Sequence, residues 1–283
     1  MIQKALVPIA GKGTRLLPVT SVLPKALLPI VERRGTIRCV IHLILEEILA
    51  AGIEHVGIIA SAKQADMLQE YFESVSACGH GGLPADIEYV IQSSPKGFGN
   101  AVLLGGPFVG DDPFLLFLGD HIHLAQEGKP RCAVQVVSAF DSSDGVSMVG
   151  VQQISARQLS RVGVVSGNRL TENTYLCTNF IEKPDPATAR KTLVTGGLPD
   201  GMFLAHCGIY AFGPDIFDCL SQVDDVARKR GGEAELADAQ SLLLERHPDR
   251  YFLCEIAGRA YDVGTPGGYG EAQIAFQGRT MIE

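Results

Sequence analysis

The chain has 283 residues, of which 46% are hydrophobic and 20% are charged; this is typical of a globular protein with one large α/β domain or two small ones. Its net charge of −8 argues against a nucleic-acid or anionic-membrane surface, although a local basic pocket could still hold a nucleotide. The 7 cysteines are scattered, and no signal-peptide pattern or membrane-length apolar run is visible, so free thiols and a cytoplasmic location are expected.

Strands and helices are predicted to alternate in the first half of the chain. Short apolar runs predict strands at residues 5–10, 55–60, 87–91 and 114–118. Apolar residues at helical spacing predict a helix at 37–49, a second helix is predicted at 64–75, and a polar turn at 92–102 enters a short helix. The period of residues 133–140 fits a strand or a helix, and we predict a helix because a crossover is needed before the strand at 146–151. Because the first helix joins two strands, we expect a βαβ unit with parallel strands and a right-handed crossover.

The second half of the chain changes character. Strands are predicted at 146–151, 162–165, 180–184, 205–212 and 251–256, helices at 187–195, 214–220, 235–246 and 266–276, and loops at 80–84 and 261–266. The pattern predicts an α/β fold, a Rossmann-like doubly wound mixed sheet to which the second half adds a substrate-binding lobe.

A glycine-rich loop follows the first strand. Gly11 and Gly13 lack a Cβ, which lets the backbone turn sharply and approach a ligand. Successive N–H groups in such a turn form an anion-binding concavity, and Arg15 adds a planar fork that suits phosphate. Three prolines restrict the backbone around Lys25, which we expect to lie near the same concavity. The loop is therefore predicted to hold a polyphosphate.

The loop is neither a dinucleotide fingerprint, because Leu16 replaces the third glycine, nor a Walker loop, because it has no G-K-[ST] ending. From Gly11 to Pro29 it resembles the signature G-x-G-T-R-x-x-P-x-T-x-x-x-P-K-x-x-x-P of the sugar-1-phosphate nucleotidyltransferases. The resemblance covers nearly the whole chain and implies the nucleotide-diphospho-sugar transferase fold. The nucleotide-binding residues that it implies here are Ala10, Gly11, Gly13, Thr14, Arg15 and Lys25, and the catalytic residues are Arg15, Lys25 and Asp120.

Two aspartates are candidate metal ligands. Asp120 closes the apolar strand at 114–118, at the edge where α/β sheets bind ligands, and Asp262 stands in a predicted loop. Either aspartate alone could be a cap or turn residue. The resemblance implies that both hold Mg²⁺, a hard cation that prefers oxygen ligands. His121 and His123 flank Asp120; we expect one to support the carboxylate and the other to be structural.

A Glu-Lys-Pro block closes the strand at 180–184. A Glu-Lys pair on a strand is usually a solvated face, but this one resembles the E-K-P motif of the family. The resemblance implies that Lys183 binds the sugar phosphate as a point charge and that Glu182 accepts hydrogen bonds from sugar hydroxyls. The sugar-phosphate residues that it implies are Gly163, Glu182, Lys183 and Gly208.

The turn that contains Gln92 and Gly97 resembles the base-reading turn of the family, with a plain turn as the alternative. The Gly97–Val102 block and the Gly232–Asp238 segment resemble the uridylyltransferase branch. Asp262-Val-Gly-Thr-Pro266 looks more like the guanylyl- and thymidylyl-transferring branches. These residues therefore do not decide which base and which sugar the protein binds.

The resemblance implies nucleotidyl transfer from an NTP to a sugar 1-phosphate, which gives an NDP-sugar and pyrophosphate. UTP and glucose 1-phosphate are the best-matching substrates, and the family usually forms homo-oligomers. We expect a single domain, with residues 1–125 binding the nucleotide and 126–283 the sugar phosphate. A non-catalytic sugar-nucleotide-binding regulator is the alternative from another class. An NAD-dependent dehydrogenase is disfavoured by the missing glycine.

Overall fold

The computed structural model describes residues 1–33, 35–79, 81–94 and 96–278. The strands are β1 (Lys4–Pro8), β2 (Pro29–Val31), β3 (Ile37–Cys39), β4 (His55–Ala60), β5 (Asp86–Ile91), β6 (Phe114–Phe117), β7 (His121–Ala125), β8 (Ser147–Ser155), β9 (Gly163–Arg169), β10 (Thr174–Glu182), β11 (Met202–Phe212), β12 (Tyr251–Glu255) and β13 (Gly258–Asp262). The helices are α1 (Val40–Ala50), α2 (Ala62–Ala77), α3 (Phe98–Leu104), α4 (Gly106–Val109), α5 (Cys132–Asp141), α6 (Pro186–Thr192), α7 (Asp215–Arg230), α8 (Leu236–Arg246) and α9 (Pro266–Phe276).

One mixed sheet of nine strands runs through both halves of the chain, in the order β5-β4-β1-β6-β11-β8-β12-β10-β9. The first four strands of that order are parallel, as the predicted βαβ unit requires. The second half joins them through antiparallel pairing of β11 with β6. Two small antiparallel pairs, β2 with β3 and β7 with β13, stand outside the main sheet. The predicted mixed α/β fold is confirmed.

Strand β1 shows why its residues form a buried strand. Ala5, Leu6 and Val7 are all fully buried, yet alternate side chains enter different core clusters. Ala5 and Val7 pack in one cluster, and Leu6 packs in the other. A strand covered on both faces needs a continuous apolar run rather than an alternating one. The carboxyl end of this strand then delivers the glycine-rich loop to the edge of the sheet.

Three sequence-based predictions need correction. Helix α1 begins at Val40 and not at residue 37, because Ile37–Cys39 pair with β2 as a strand. Residues 261 and 262 do not lie in a loop, because they end strand β13. Helix α7 continues to Arg230, beyond the predicted end at residue 220. The predicted loop at 80–84 is described only from residue 81, and those residues form no regular element.

All seven cysteines lie in the described part of the chain, and each is a free thiol there, as predicted. None of the helices in the described ranges combines the length and the apolar character that a bilayer crossing requires.

Candidate active site

The glycine-rich loop closes on itself through contacts that require glycine at position 13. Gly13 has a left-handed backbone with φ of 64°, and Thr14–Leu16 form a short 3-10 turn after it. The Thr20 hydroxyl donates to the Gly13 carbonyl oxygen at 2.7 Å. A Cβ on Gly13 would lie 2.9 Å from the Lys25 side chain, so any larger residue would push that lysine aside.

The two predicted metal ligands meet although 142 positions separate them in the chain. Antiparallel pairing of β7 with β13 places Asp262 opposite His121, and the Val263 N–H donates to the Asp120 carbonyl oxygen at 2.9 Å. One ligand atom each from Asp120, His121 and Asp262 lies within 4.8 Å of the others. Two carboxylates at this separation suit a hard divalent cation.

Each carboxylate of this cluster contacts a cation from the glycine-rich segment. The Lys25 ammonium forms an ion pair with Asp120, and Arg15 Nη1 lies 3.6 Å from Asp262 Oδ2. Burial alone would raise the pKa of Asp120, but the His121 hydrogen bond and the Lys25 charge lower it well below its usual range. Asp120 is therefore ionised at every physiological pH.

His121 links the carboxylate cluster to the second half of the chain. Its Nδ1 donates to Asp120 Oδ1 at 3.1 Å. Burial lowers the pKa of His121, but the Asp120 hydrogen bond and the nearby carboxylates outweigh that effect and raise it. Gly208 has φ of 87°, and a Cβ there would lie 2.9 Å from His121 Cγ. His123 instead contacts the Cys207 carbonyl oxygen at 2.7 Å, deep in the core.

Gly264 is a site residue that the sequence analysis missed. Its N–H donates to Asp262 Oδ1 at 2.9 Å. A Cβ at this position would lie 2.6 Å from Asp120 Oδ2, 2.9 Å from Asp262 Oδ1 and 3.3 Å from an Arg15 guanidinium nitrogen. The missing side chain thus leaves room for the three charged groups of Asp120, Asp262 and Arg15 at this point. The Asp-x-Gly spacing was the signal that could have identified it.

A cavity of about 330 Å³ opens beside the loop. Ala10 and Gly11 form one wall, and the predicted base-reading Gln92 lies in the lining with them. Ser61 and Gln64 also line it and were not predicted. Ser61 caps α2 by accepting from the Gln64 N–H, and Gln64 Nε2 donates to the Ile9 carbonyl oxygen at 3.0 Å. These contacts attach α2 to the end of β1 at the cavity.

Gly97 is not part of the described cavity lining. Its backbone has φ of 94°, and a Cβ there would lie 2.7 Å from the Ala234 carbonyl oxygen. The neighbouring Gly99 N–H donates to the same oxygen at 2.9 Å. The two glycines therefore let residues 233–235 approach α3 closely, and a role of Gly97 in base reading remains a prediction.

Three of the four predicted sugar-phosphate residues, Gly163, Glu182 and Lys183, lie together at the end of β10, whereas Gly208 lies against His121. Lys183 Nζ lies 3.1 Å from Glu182 Oε1, and both side chains are exposed. Lys183 has φ of 49°, unusual for a residue with a side chain and common at functional sites. A Cβ on Gly163 would lie 2.9 Å from Glu182 Oε2 and 3.0 Å from His206 Nδ1. Gly163 therefore keeps the space above Glu182 open.

Two further residues border this group, and sequence reasoning gave them no role. Burial raises the pKa of Glu235, while the charge of Lys183 acts in the opposite direction. His206 is 7% exposed and stacks on the Phe180 ring at a centroid distance of 4.7 Å. Burial lowers the pKa of His206 to about 3. The Gly232–Asp238 segment was the sequence signal for Glu235.

A larger cavity of about 800 Å³ lies away from these residues. Arg38 and Arg131 line it, and they are paired with the acidic side chains of Glu32, Glu46 and Glu47. None of the predicted site residues belongs to its described lining. We take the smaller cavity as the candidate active site, because the glycine-rich loop and Gln92 line it.

The sequence model for the family described as nucleotidyl transferase matches residues 4–277. The chain belongs to this family. A relative named UTP–glucose-1-phosphate uridylyltransferase in Bacillus subtilis (strain 168) is 33% identical over 291 residues, covering 97% of this chain and 91% of the relative. A protein of the same name in Pseudomonas aeruginosa is 30% identical over 289 residues, covering 96% and 95%.

Solved structures agree with that membership. A UDP-glucose pyrophosphorylase complexed with UDP-glucose superposes with a TM-score of 0.80 at 30% identity, covering 98% of both chains. The nucleotidyl transferase fold predicted from the sequence is thus confirmed over nearly the full chain. The roles of the individual site residues remain predictions.

Proposed function

We propose that this nucleotidyl transferase joins UTP and glucose 1-phosphate to give UDP-glucose and pyrophosphate. The observation that carries the proposal is the meeting of Arg15, Lys25, Asp120 and Asp262 beside the cavity that Gln92 lines. Relatives that are 30–33% identical carry the name of that activity. The cations supply what the reaction needs, because both substrates are anionic and repel each other.

A phosphate oxygen of the sugar 1-phosphate attacks the α-phosphorus of the NTP in line. The new P–O bond forms as the bond to the β-phosphate oxygen breaks, and pyrophosphate leaves with that electron pair. No protein nucleophile is required, so positioning can supply about 7–11 kcal/mol of the barrier. Arg15 and Lys25 bind the triphosphate, and the N–H groups of the loop from Gly11 to Thr14 add further donors.

The residues fit a divalent cation, which we propose to be Mg²⁺. Gly264 leaves open the space between Asp120 Oδ2 and Asp262 Oδ1 that a Cβ would fill. These two aspartates would hold the ion by oxygen ligands, as Mg²⁺ prefers. When bound, the ion supplies charge neutralisation for the phosphates. The chain's own residues then orient the substrates around these carboxylates.

We propose that Lys183 binds the sugar phosphate and that Glu182 takes sugar hydroxyls, with Gly163 and Gly208 allowing close approach. Gln92 reads the base, because its amide offers both a donor and an acceptor to a pyrimidine edge. In this assignment residues 1–125 carry the nucleotide and residues 126–283 carry the sugar phosphate.

Pyrophosphate release across a matrix of NTPs and sugar 1-phosphates tests the proposal. The largest kcat/KM is expected for UTP with glucose 1-phosphate, and the Asp120→Asn variant serves as the control for a contaminating activity. A larger kcat/KM for dTTP or GTP would refute the assigned base. Binding of UDP-glucose without pyrophosphate release from any pair would identify a non-catalytic binder instead.

A further inference from the structure

The amide of Gln92 is held by a chain of hydrogen bonds that reaches a buried carboxylate on another helix. Gln92 Nε2 donates to Asn100 Oδ1 at 3.1 Å, and Asn100 Nδ2 donates to Asp224 Oδ1 at 3.1 Å. Asn100 lies on α3 and Asp224 on α7. Asp224 is 5% exposed, and its other oxygen lies 2.8 Å from the Arg228 guanidinium.

The direction of this chain follows from the chemistry of its last member. An ionised carboxylate can only accept hydrogen bonds, so Asn100 must turn its NH₂ group toward Asp224. The Asn100 carbonyl oxygen then faces Gln92, and Gln92 must present its own NH₂ group to that oxygen. A flip of either amide would bring two acceptors together in a buried place, which costs the full desolvation penalty of the unpaired groups.

This fixed orientation matters because Gln92 lines the nucleotide cavity. One N–H is used by Asn100, which leaves Oε1 and the second N–H in a set order for a ligand. Uracil presents an N3–H donor next to the O4 acceptor, whereas cytosine presents an N3 acceptor next to the N4 amino donor. An amide that is free to flip can match either order, but an amide held in one orientation matches only one.

We propose that Asp224, acting through Asn100, fixes the Gln92 amide and thereby selects uracil over cytosine. The inference rests on the proposed function, since it requires that Gln92 meets the base. Asp224 and Asn100 are positioning residues in this proposal, because neither needs to touch the substrate.

Three variants test the proposal through the ratio of kcat/KM for UTP to that for CTP. Asp224→Asn keeps the shape of the side chain but lets both amides flip, and the ratio should fall by about 10-fold to 100-fold, the range expected for a hydrogen bond to a charged group. Asp225→Asn is the matched control. Asp225 pairs with the same Arg228 at 2.9 Å, is exposed, and has no described contact with Asn100. Its ratio should equal that of the wild type.

The double variant Asn100→Asp/Asp224→Asn moves the carboxylate one step along the chain. The carboxylate at position 100 accepts from Gln92 and also from the amide at position 224, so the orientation of Gln92 is enforced again. We expect the double variant to recover most of the UTP preference. A role of Asp224 in folding alone predicts no such recovery, because Arg228 still lacks its carboxylate partner at position 224 in the double variant.

The proposal is overturned if Asp224→Asn stays within about threefold of the wild-type ratio while its circular dichroism spectrum is unchanged. It is also overturned if Asp225→Asn lowers the ratio equally, if the double variant recovers nothing, or if the wild type does not distinguish the two nucleotides. Should Asp224→Asn fail to fold, the double variant alone decides. Calorimetric binding of UTP and CTP applies the same comparison if no pyrophosphate is released. Failure of catalysis and failure of the proposed selection are therefore distinguishable.

Discussion

Replacement of Gly264 by alanine tests whether the carboxylate cluster must have the geometry seen here. The backbone at this position is not left-handed, so alanine is sterically allowed by the main chain. Its Cβ would lie 2.6 Å from Asp120 Oδ2, whereas ordinary van der Waals contact begins at 3.4 Å. The oxygen must therefore move by about 0.8 Å, the difference between these two distances.

A displacement of about 1 Å at reacting groups can cost about 100-fold in rate, and we expect kcat of Gly264→Ala to fall by that factor. Overpacking costs about 1–3 kcal/mol, less than the stability of a typical domain, so the variant should remain folded at 25 °C. Pyrophosphate release at saturating substrates measures kcat, and thermal unfolding measures stability separately.

Gly267→Ala is the matched control, because it lies three positions away with no heavy atom within 4 Å of its added Cβ. Alanine is the better helix former by about 1 kcal/mol, so this variant should keep full activity and unfold no earlier than the wild type. A folded Gly264→Ala variant with kcat within about threefold of the wild type would refute the reasoning that connects carboxylate position to turnover.

Three further predictions concern single side chains. Lys183→Ala should raise KM for the sugar 1-phosphate by about 10-fold to 100-fold, because a hydrogen bond to a charged group is lost, while kcat changes little; an equal fall in kcat would contradict the binding role. Asp120→Asn should lower kcat by about 10²–10³-fold with a smaller effect on either KM, as measured by steady-state kinetics. His206 should weaken folding in acid. Its folded-state pKa of about 3 lies below the unfolded value, so the unfolded chain binds the proton first and stability is lost as pH falls below about 6.5. Urea unfolding at pH 7, 6 and 5 measures the free energy of unfolding, and His206→Leu should lose about 1.4 kcal/mol less of it per pH unit than the wild type. If the free energy of unfolding falls equally with pH in the variant and the wild type, His206 does not have this effect.

The parts of the site that lie in continuous strings could be predicted from the sequence. The segment from Gly11 to Lys25 and the Glu182-Lys183 pair carry their chemistry within a few residues, so the residue types alone suggest phosphate binding. The strands that deliver them are buried apolar runs, which period and composition also reveal.

The pairing of distant segments could not be predicted in the same way. Asp262 was expected in a loop, yet it ends β13 and lies opposite His121 because β13 pairs with a strand far earlier in the chain. Residues 37–39 fit a helical period but form a strand, since β2 offers them hydrogen-bond partners. Local pattern contains no information on such partners, and tertiary pairing overrides propensity.

The Gln92–Asn100–Asp224 chain illustrates the same limit for polar side chains. Asp224 sits on a helix that was predicted to end at residue 220, so no role could be given to it from the sequence. Only the packing of α3 against α7 brings its carboxylate to Asn100, which lies 124 positions earlier. A buried acidic residue with an amide partner is visible only once the fold is known.

The three cations that we assign to phosphate binding each contact a carboxylate in this structure: Arg15 contacts Asp262, Lys25 contacts Asp120 and Lys183 contacts Glu182. Without these partners, the like charges of Arg15 and Lys25, whose carboxylate partners both lie beside Gly264, would repel each other and oppose folding. The free-energy cost of placing these cations is therefore largely met during folding. When a phosphate binds, each cation exchanges a carboxylate partner for a phosphate partner. Such preorganised charges stabilise a transition state without reorganising during the reaction. It also follows that Asp120→Asn leaves Lys25 without its partner, so its effect on turnover includes the misplacement of that lysine.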